Sequence, residues 1–394
     1  MRMVAVLKNQ EHPEYGAISL PLPIKDNEYD QSMKMLSSMG MGDAVDRDCE
    51  IVELTNTLPL LHRLEGSHIN IDELDYLARR LDGFDVVEVV QFQAMADKWK
   101  LTDMKDLINL TFCCQEATVV TDFSDLEAVG RNHYMNTHGG CASAEELDNL
   151  DGEETAILLI EDNEGTITRY GVVYDNGMQL SQLYDGKNLP CYHYDSDIIS
   201  VGLTSRSGPD NPTSLTWVYL PAAKGQIERA LQRAGIRNPA DLSLWMGDSL
   251  FPTEIDVALD FRHEDIYDLN GLAKAVKRLS NDDRMKLGAV VGMAQPKYAY
   301  QICRLAENLD MFEFAPGTHT PAEYGKFMIQ HSGHFDYDPN LDEFYDYERY
   351  GRQHMDSESG MFTDRGYIAY VGVESLEELM GEGQEQVKGG MEMQ

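Results

Sequence analysis

Asp338-Pro339-Asn340-Leu341-Asp342-Glu343-Phe344-Tyr345-Asp346-Tyr347-Glu348-Arg349-Tyr350-Gly351-Arg352 is the stretch whose reading decides the fold. Pro339 stands at the entrance to a helix and Asn340 is suited to cap it. Leu341, Phe344 and Tyr345 follow at three- to four-residue spacing, which predicts one apolar stripe facing a core. The same spacing leaves Asp342, Glu343 and Asp346 together on the outer face, with Asp338 and Glu348 beside them. Upstream, Tyr324-Gly325-Lys326-Phe327-Met328-Ile329-Gln330-His331-Ser332-Gly333 reads as a helix stopped by glycine. Downstream, Gly360 to Tyr370 reads as a short strand.

This helix, loop with proline, helix ending in Tyr350-Gly351-Arg352 and final strand resembles the C-terminal domain of the ArdA-type antirestriction proteins. Asp346 to Arg352 carries the most specific part of the likeness. The resemblance implies an acidic, elongated, cofactor-free inhibitor without enzymatic activity, a mimic of DNA. It implies that the partner is the DNA-binding groove of a type I restriction-modification complex. One departure stands out. Family members usually carry acidic residues just before the glycine that ends the tyrosine-containing helix, whereas here Gln330 and His331 precede Gly333. In the first half of the chain the matching positions are Asn136 and Thr137.

Outward from that stretch, the chain reads as one order of elements written twice. Met3 to Lys8 alternates as a strand, Gly16 to Pro23 forms a second, and Asp26 opens a helix with Tyr29, Met33 and Leu36 on one face, stopped by Gly40. Ile51 to Leu54 is a third strand. Amphipathic helices follow: Asp72 to Leu81 on Leu74, Leu77 and Leu81; Asp85 to Lys98 on Val86, Val90 and Ala94, with Val87 and Met95 beside them; Thr102 to Phe112 on Leu107, Ile108 and Leu110. Then come a strand at Ala117 to Val120, helices at Ser124 to Met135 and Ala144 to Leu150, and a strand at Tyr170 to Tyr174. From Ile198 the order starts again. Leu74 to Leu81 aligns with Leu272 to Leu279 at an offset of 198, and Val129 to Met135 with Tyr324 to Gln330 at 195. The expectation is an α+β fold, an elongated tandem repeat of small mixed sheet and helix domains with a helical middle segment in each unit. The first unit spans 1–197 (small sheet 1–60, helical 61–115, α/β 116–197). The second spans 198–374 (small sheet 198–262, helical 263–310, α/β 311–374), and residues 375–394 form a disordered tail.

The chain has 394 residues, with 32 Lys and Arg against 68 Asp and Glu, a formal net charge of −36. That balance argues against direct binding to nucleic acid or an anionic membrane, both of which need basic surface. Residues 1–200 hold 14 basic and 37 acidic side chains, and residues 201–394 hold 18 and 31, so the acid is spread over both halves. Duplex DNA carries one charge per about 1.7 Å, so the net charge matches roughly 60 Å of duplex. A groove lined with Lys and Arg attracts such carboxylates. Fixing them on folded helices costs less ordering entropy than a floppy acidic tail.

The candidate partner-binding carboxylates are therefore Asp338, Asp342, Glu343, Asp346 and Glu348; Asp72, Glu73, Asp75, Asp82 and Asp85; and Glu145, Glu146, Asp148, Asp151, Glu153 and Glu154. A solvated helix face without a partner is the plain alternative reading of the same clusters. His331 to Asp336 and Cys191 to Asp197 hold metal-ligand side chains, but neither stretch has a second ligand pair at recognised spacing. Cys113-Cys114 abuts an apolar helix end and reads as buried thiols. The six cysteines show no CxxC spacing, and the N-terminus shows no signal-peptide core, which predicts a cytoplasmic protein. Rival readings are a mimic aimed at another defence nuclease or nucleoid protein, and an acidic interaction scaffold. A homodimer is compatible with each.

Overall fold

The computed structural model describes residues 3–190, 197–208, 215–331, 333 and 336–381. Contacts divide it into two compact units: Met1–Pro190 together with Ala223–Gly235, and Cys191–Ala222 together with Ile236–Gln394. The fold is α+β, with four small antiparallel sheets among the described residues.

In the first unit, β1 (Met3–Lys8), β2 (Ala17–Leu22), β3 (Cys49–Thr55) and β4 (His68–Ile69) form a sheet in the order β2-β1-β3-β4. Met3, Ala5 and Leu7 of β1 alternate inward, as a period of two requires. Helix α1 (Asp26–Ser38) joins β2 to β3. Three helices follow, each opened by a side-chain cap: α2 (Ile71–Asp82) by Asn70, α3 (Val86–Lys98) by Asp85 and α4 (Met104–Leu110) by Asp103. The last module contains β5 (Thr118–Val120), α5 (Leu126–Thr137), α6 (Ala144–Asn149), α7 (Gly152–Asp162), β6 (Thr166–Thr168) and β7 (Gly171–Tyr174), its strands ordered β5-β7-β6. Helix α8 (Lys224–Arg233), from further along the chain, completes this unit.

The second unit opens with β8 (Ile199–Ser205), β9 (Thr216–Leu220) and β10 (Leu242–Ser249), ordered β10-β8-β9. Helices α9 (Thr253–Ala258), α10 (Ile266–Arg278), α11 (Asn281–Ala294) and α12 (Ala299–Glu307) follow. The closing module has β11 (Phe312–Pro316), α13 (Pro321–His331), α14 (Tyr347–Met355), β12 (Ser359–Thr363) and β13 (Gly366–Tyr370), ordered β11-β13-β12, and then α15 (Leu376–Met380).

From α2 and α10 onward, equivalent features recur at a constant spacing of 195 residues. The caps at Asn70, Asp85, Asp125 and Asp151 stand 195 residues before those at Asp265, Ser280, Thr320 and Asp346 (265 − 70, 280 − 85, 320 − 125, 346 − 151). The Thr168 hydroxyl donates to the Gly171 carbonyl at 2.9 Å, and the Thr363 hydroxyl to that of Gly366 at 2.8 Å. Asp75 accepts from the Ile24 N–H at 2.7 Å, and Asn270 from that of Ala222 at 2.8 Å. Asp75 therefore corresponds to Asn270, so the alignment of α2 with α10 at 198 is one helical turn out. The spacing changes earlier, because α1 has 13 residues and α8 has 10.

Several expectations are corrected. No α-helix starts at Asn340. A 3₁₀ turn covers Pro339–Phe344, and Asp346 caps the separate helix α14, so Asp342, Glu343 and Asp346 share no helical face. The apolar stripe there faces no core: Leu341 is 47% exposed and Phe344 82%. Val86 and Val87 are also exposed, because α3 buries only its C-terminal half, around Phe92, Ala94 and Met95. The first sheet has a fourth strand, Gly360 to Tyr370 is a hairpin, and α7 lies where no element was expected. Ser375 opens α15 through a capping box, and Leu379 and Met380 are buried, so the ordered chain runs past residue 374. Residues 382–394 lie outside the described residues.

One buried acid gives a pH prediction for the second unit. Glu264, at the end of a 3₁₀ turn, is buried and accepts the Ala299 N–H that opens α12 at 3.0 Å. Burial pushes its carboxyl up to about 7, and Asp268, Asp260 and Asp265 add to the rise. The folded form thus holds its proton more tightly than the unfolded one. Stability from this group is present at low pH and falls as pH rises from the ordinary value of 4.5 through about 7. Glu264→Gln keeps an acceptor for Ala299 and removes the charge. Its melting should exceed that of the parent by about 2 kcal/mol at alkaline pH. The two proteins should converge in mild acid, and a pH-independent gap would sink the idea.

Candidate functional site

Residues 121–168 concentrate the acid. They hold twelve carboxylates, from Asp122 to Glu164, and one basic side chain, Arg131. All twelve are exposed. They ride on a rigid base. Helices α5 and α7 cross in backbone contact, because Gly130 leaves no room for a Cβ against the Gly152 carbonyl. Val120, Val129, Ala156, Leu159 and Tyr174 form the small core beneath. Capping fixes several of the charges in place. Asp125 accepts from the Ala128 N–H, Asp151 from that of Glu154, and Glu146 closes a capping box with Ser143. Backbone and hydroxyl hydrogen bonds from Ser124 and Ser143 hold the Asp122 and Glu146 carboxyls below the usual range, so both stay ionised. Arg131 is held by Glu127 at 2.7 Å.

Of the sequence candidates, Glu145, Glu146, Asp148, Asp151, Glu153 and Glu154 are all on this surface. Asp122, Asp125, Glu127, Glu161, Asp162 and Glu164 belong to it too and were not singled out from sequence. The signal that finds them is the near absence of Lys and Arg over the whole segment. Asp82 and Asp85 are exposed elsewhere in the unit, and Asp85 caps α3.

Asp72, Glu73 and Asp75 are not on display, which corrects their reading as partner-facing carboxylates. Asp72 meets Arg229 at 3.0 Å and Arg233 at 2.8 Å. Glu73 is 2% exposed and accepts from the Tyr184 hydroxyl at 2.6 Å. Asp75 is buried, and with Arg79 it clasps both the N–H and the carbonyl of Ile24. Asn270 alone makes the same two bonds to Ala222. A side chain replaceable by a neutral amide in that role serves the fold.

In the second unit the segment 195 residues on, 316–363, holds nine acidic and three basic side chains. Asp338 caps the 3₁₀ turn, Asp346 caps α14, and Glu348 pairs with Arg352 at 2.8 Å. Glu343 is exposed. Asp342 is a knot that accepts from the Tyr347 hydroxyl at 2.5 Å, the Tyr337 hydroxyl at 2.7 Å and the Lys326 ammonium at 3.0 Å. These donors hold its carboxyl down at about 2. Beneath, Gly325 and Gly351 let α13 and α14 touch as Gly130 and Gly152 do for α5 and α7.

Residues 215–369 match the model of the antirestriction protein (ArdA) family. This region belongs to the ArdA family. The match takes in β9, the four-helix middle segment and the α13–α14 module up to β13, so the 3₁₀ turn and the Asp342 knot are parts of an ArdA domain. No curated protein matches the chain. Among the described residues, no helix is long and apolar enough to cross a membrane, and no group of three or more His, Cys, Asp and Glu could hold a metal ion. Cys191 to Ser196, and Ser332, His334 and Phe335, lie outside the described residues. Cys113 and Cys114 are buried thiols whose pKa burial pushes up.

Proposed function

We propose that this chain is an antirestriction protein that acts without catalysis, as a mimic of DNA in the cytoplasm. It fills the DNA-binding groove of a type I restriction-modification enzyme with its acidic surfaces. We further propose two ArdA-like units in tandem, 1–197 and 198–374. The ArdA match supports the class of function. The constant spacing of caps and hairpin, and the recurrence of the clasp, support the tandem reading. The observation that carries the mimicry is the segment 121–168, with twelve exposed carboxylates against one arginine on and around the glycine-packed pair of α5 and α7. Charges held in place by caps present a fixed pattern to a groove, as phosphates do, and their displacement of counterions adds favourable entropy.

Competition against a labelled duplex for a type I enzyme tests this. Inhibition should weaken by about a thousandfold or more as salt rises from about 50 to about 200 mM. Neutralising Glu145, Glu146, Asp148, Asp151, Glu153 and Glu154 together, as Gln or Asn, preserves the capping geometry. That variant should melt like the parent, compete at least tenfold less well, and show a shallower salt slope. A well-folded variant that competes undiminished moves the contact away from this surface. The carboxylates of 338–348 are a poorer probe, because neutralising Asp342 also unties the knot.

A further inference from the structure

The helical middle segments of the two units carry opposite charge balances. Residues 74–111 of the first unit hold five basic and seven acidic side chains, whereas residues 269–306 of the second hold seven basic and two acidic. In the first unit the cations near the end of α2 are engaged. Arg79 pairs with Asp75 at 2.8 Å and donates to the Ile24 carbonyl at 2.7 Å. Arg80 is buried and donates to the Thr111 carbonyl at 2.7 Å. In the second unit Lys274, Lys277 and Arg278 stand where the first has Arg79, Asp82 and Gly83 (274 − 79, 277 − 82, 278 − 83). Spaced by three and four, they share one face of α10. All three are exposed, and among the described residues none has an ion-pair partner. Arg284 reaches back to the same helix end, where its Nε donates to the Val276 carbonyl at 3.2 Å. Of the acids that open α11, Asp283 accepts from the Ser280 hydroxyl at 2.8 Å and Asp282 is exposed. The helix macrodipole favours Lys277 and Arg278 only modestly in the last turn, and Lys274 stands one turn earlier. Folding asks little of these charges, and mimicry of DNA asks for the opposite sign.

We propose that this basic face of α10 docks against a carboxylate-rich protein surface bordering the groove that the acidic surfaces fill. This rests on the proposed function for the identity of the partner. A chain of net charge −36 is repelled by free duplex. Once its carboxylates occupy the groove, duplex is excluded, so the surface left beside these cations is that of the enzyme itself. Charged contacts at a rim set orientation and exclude wrong partners more than they add raw affinity. A uniformly acidic surface fits a basic groove in either direction. A positive island on it admits one direction and rejects a partner whose rim is basic at that place. DNA carries no such island, so α10 separates this chain from the duplex it replaces.

The test measures binding of the full chain and its variants to a type I restriction-modification enzyme near physiological salt. Changing Lys274→Gln, Lys277→Gln and Arg278→Gln together makes the chain more acidic by three charges. A merely solvated face would leave binding to a basic groove equal or tighter. Docking through this face requires the opposite sign, a loss of about tenfold, with melting that matches the parent. Reversal to Glu at the three positions should lose more, and the exchange Lys274→Arg, Lys277→Arg and Arg278→Lys should bind like the parent. Lys274→Gln alone, clear of the last turn, should show the same sign of effect if the triple variant melts lower. Parental or tighter binding by the folded Gln variant overturns the docking face and leaves the mimicry standing. Binding of a labelled duplex by the free parent that the Gln variant loses overturns it by assigning the face to nucleic acid. Self-association of the free chain that the Gln variant loses, by sedimentation, overturns it in favour of a second copy. No binding of the parent to the enzyme at any salt overturns the docking face and the proposed partner together.

Discussion

Asp72→Ala should lower the melting temperature of the first unit by about 10 °C, since breaking a buried ion pair costs about 3–5 kcal/mol and each kcal/mol moves a domain of this size by about 2–4 °C. Two guanidiniums converge on this carboxylate. Arg233 is 5% exposed, and its other acceptors are the Ala44 and Lys187 carbonyls and the Asn70 side chain. Arg229 also reaches the Asp43 carbonyl, and the Tyr29 hydroxyl donates to Asp72 at 3.1 Å. With Asp72 gone, both cations stay largely buried with only neutral oxygens as hydrogen-bond acceptors. Asp72→Asn keeps one acceptor and should lose less. Duplex competition measured well below the melting point should be unchanged in both, because this carboxylate faces its own protein. Parental melting of Asp72→Ala would mean that the pair does not form in solution, and weakened competition by the folded variant would return Asp72 to the partner-binding surface.

Gly325→Ala sets two rules against each other. Helix propensity alone predicts a gain of about 1 kcal/mol for alanine over glycine in mid-helix. The packing predicts the opposite. A Cβ at Gly325 overlaps the Tyr347 carbonyl oxygen and meets the Gly351 nitrogen at 2.8 Å, and both are backbone atoms that no rotamer change can move. Helices α13 and α14 must part, opening the core of Ala315, Tyr324, Tyr367 and Ala369. A net loss of about 3–4 kcal/mol is expected, in the range of overpacked cores. Thermal melting and amide exchange in α14 both report it. A variant more stable than the parent would show that the close approach is not maintained.

Local patterns carried much of the fold. The alternation of β1, the cap-and-stripe signals of α2 and α4 and the glycine that ends α1 each lie within one stretch of chain, so the sequence displays them directly. Helix α7 was hidden because it begins at Gly152, a residue that locally signals a break. Its reason is Gly130 across the helix crossing. The turn at Pro339 has an α-helical start signal, but Asp338 takes the capping role and Asp346 begins a fresh helix eight residues later. Among the candidate carboxylates, those of α6 and α7 could be placed on a surface because no cation stands near them in sequence. Asp72 could not be judged that way, since its partners Arg229 and Arg233 are more than 150 residues away. The one-turn error in aligning α2 with α10 has a similar origin. Leucines match at either register, and only the bonds of Asp75 and Asn270 to the strand ends decide between them.

The caps have a consequence for how this protein can change. Asp85, Asp103, Asp125, Asp151, Asp265, Asp338 and Asp346 each accept a backbone N–H at the start of a helix or turn. Asparagine caps nearly as well as aspartate, and alanine does not. A single base change of Asp to Asn codons therefore opens a nearly neutral path in stability along which the surface can lose up to seven charges. A lineage following that path could retune its target while its architecture stays put. A lineage drifting toward alanine would unravel helix starts before its charge pattern had changed enough to matter.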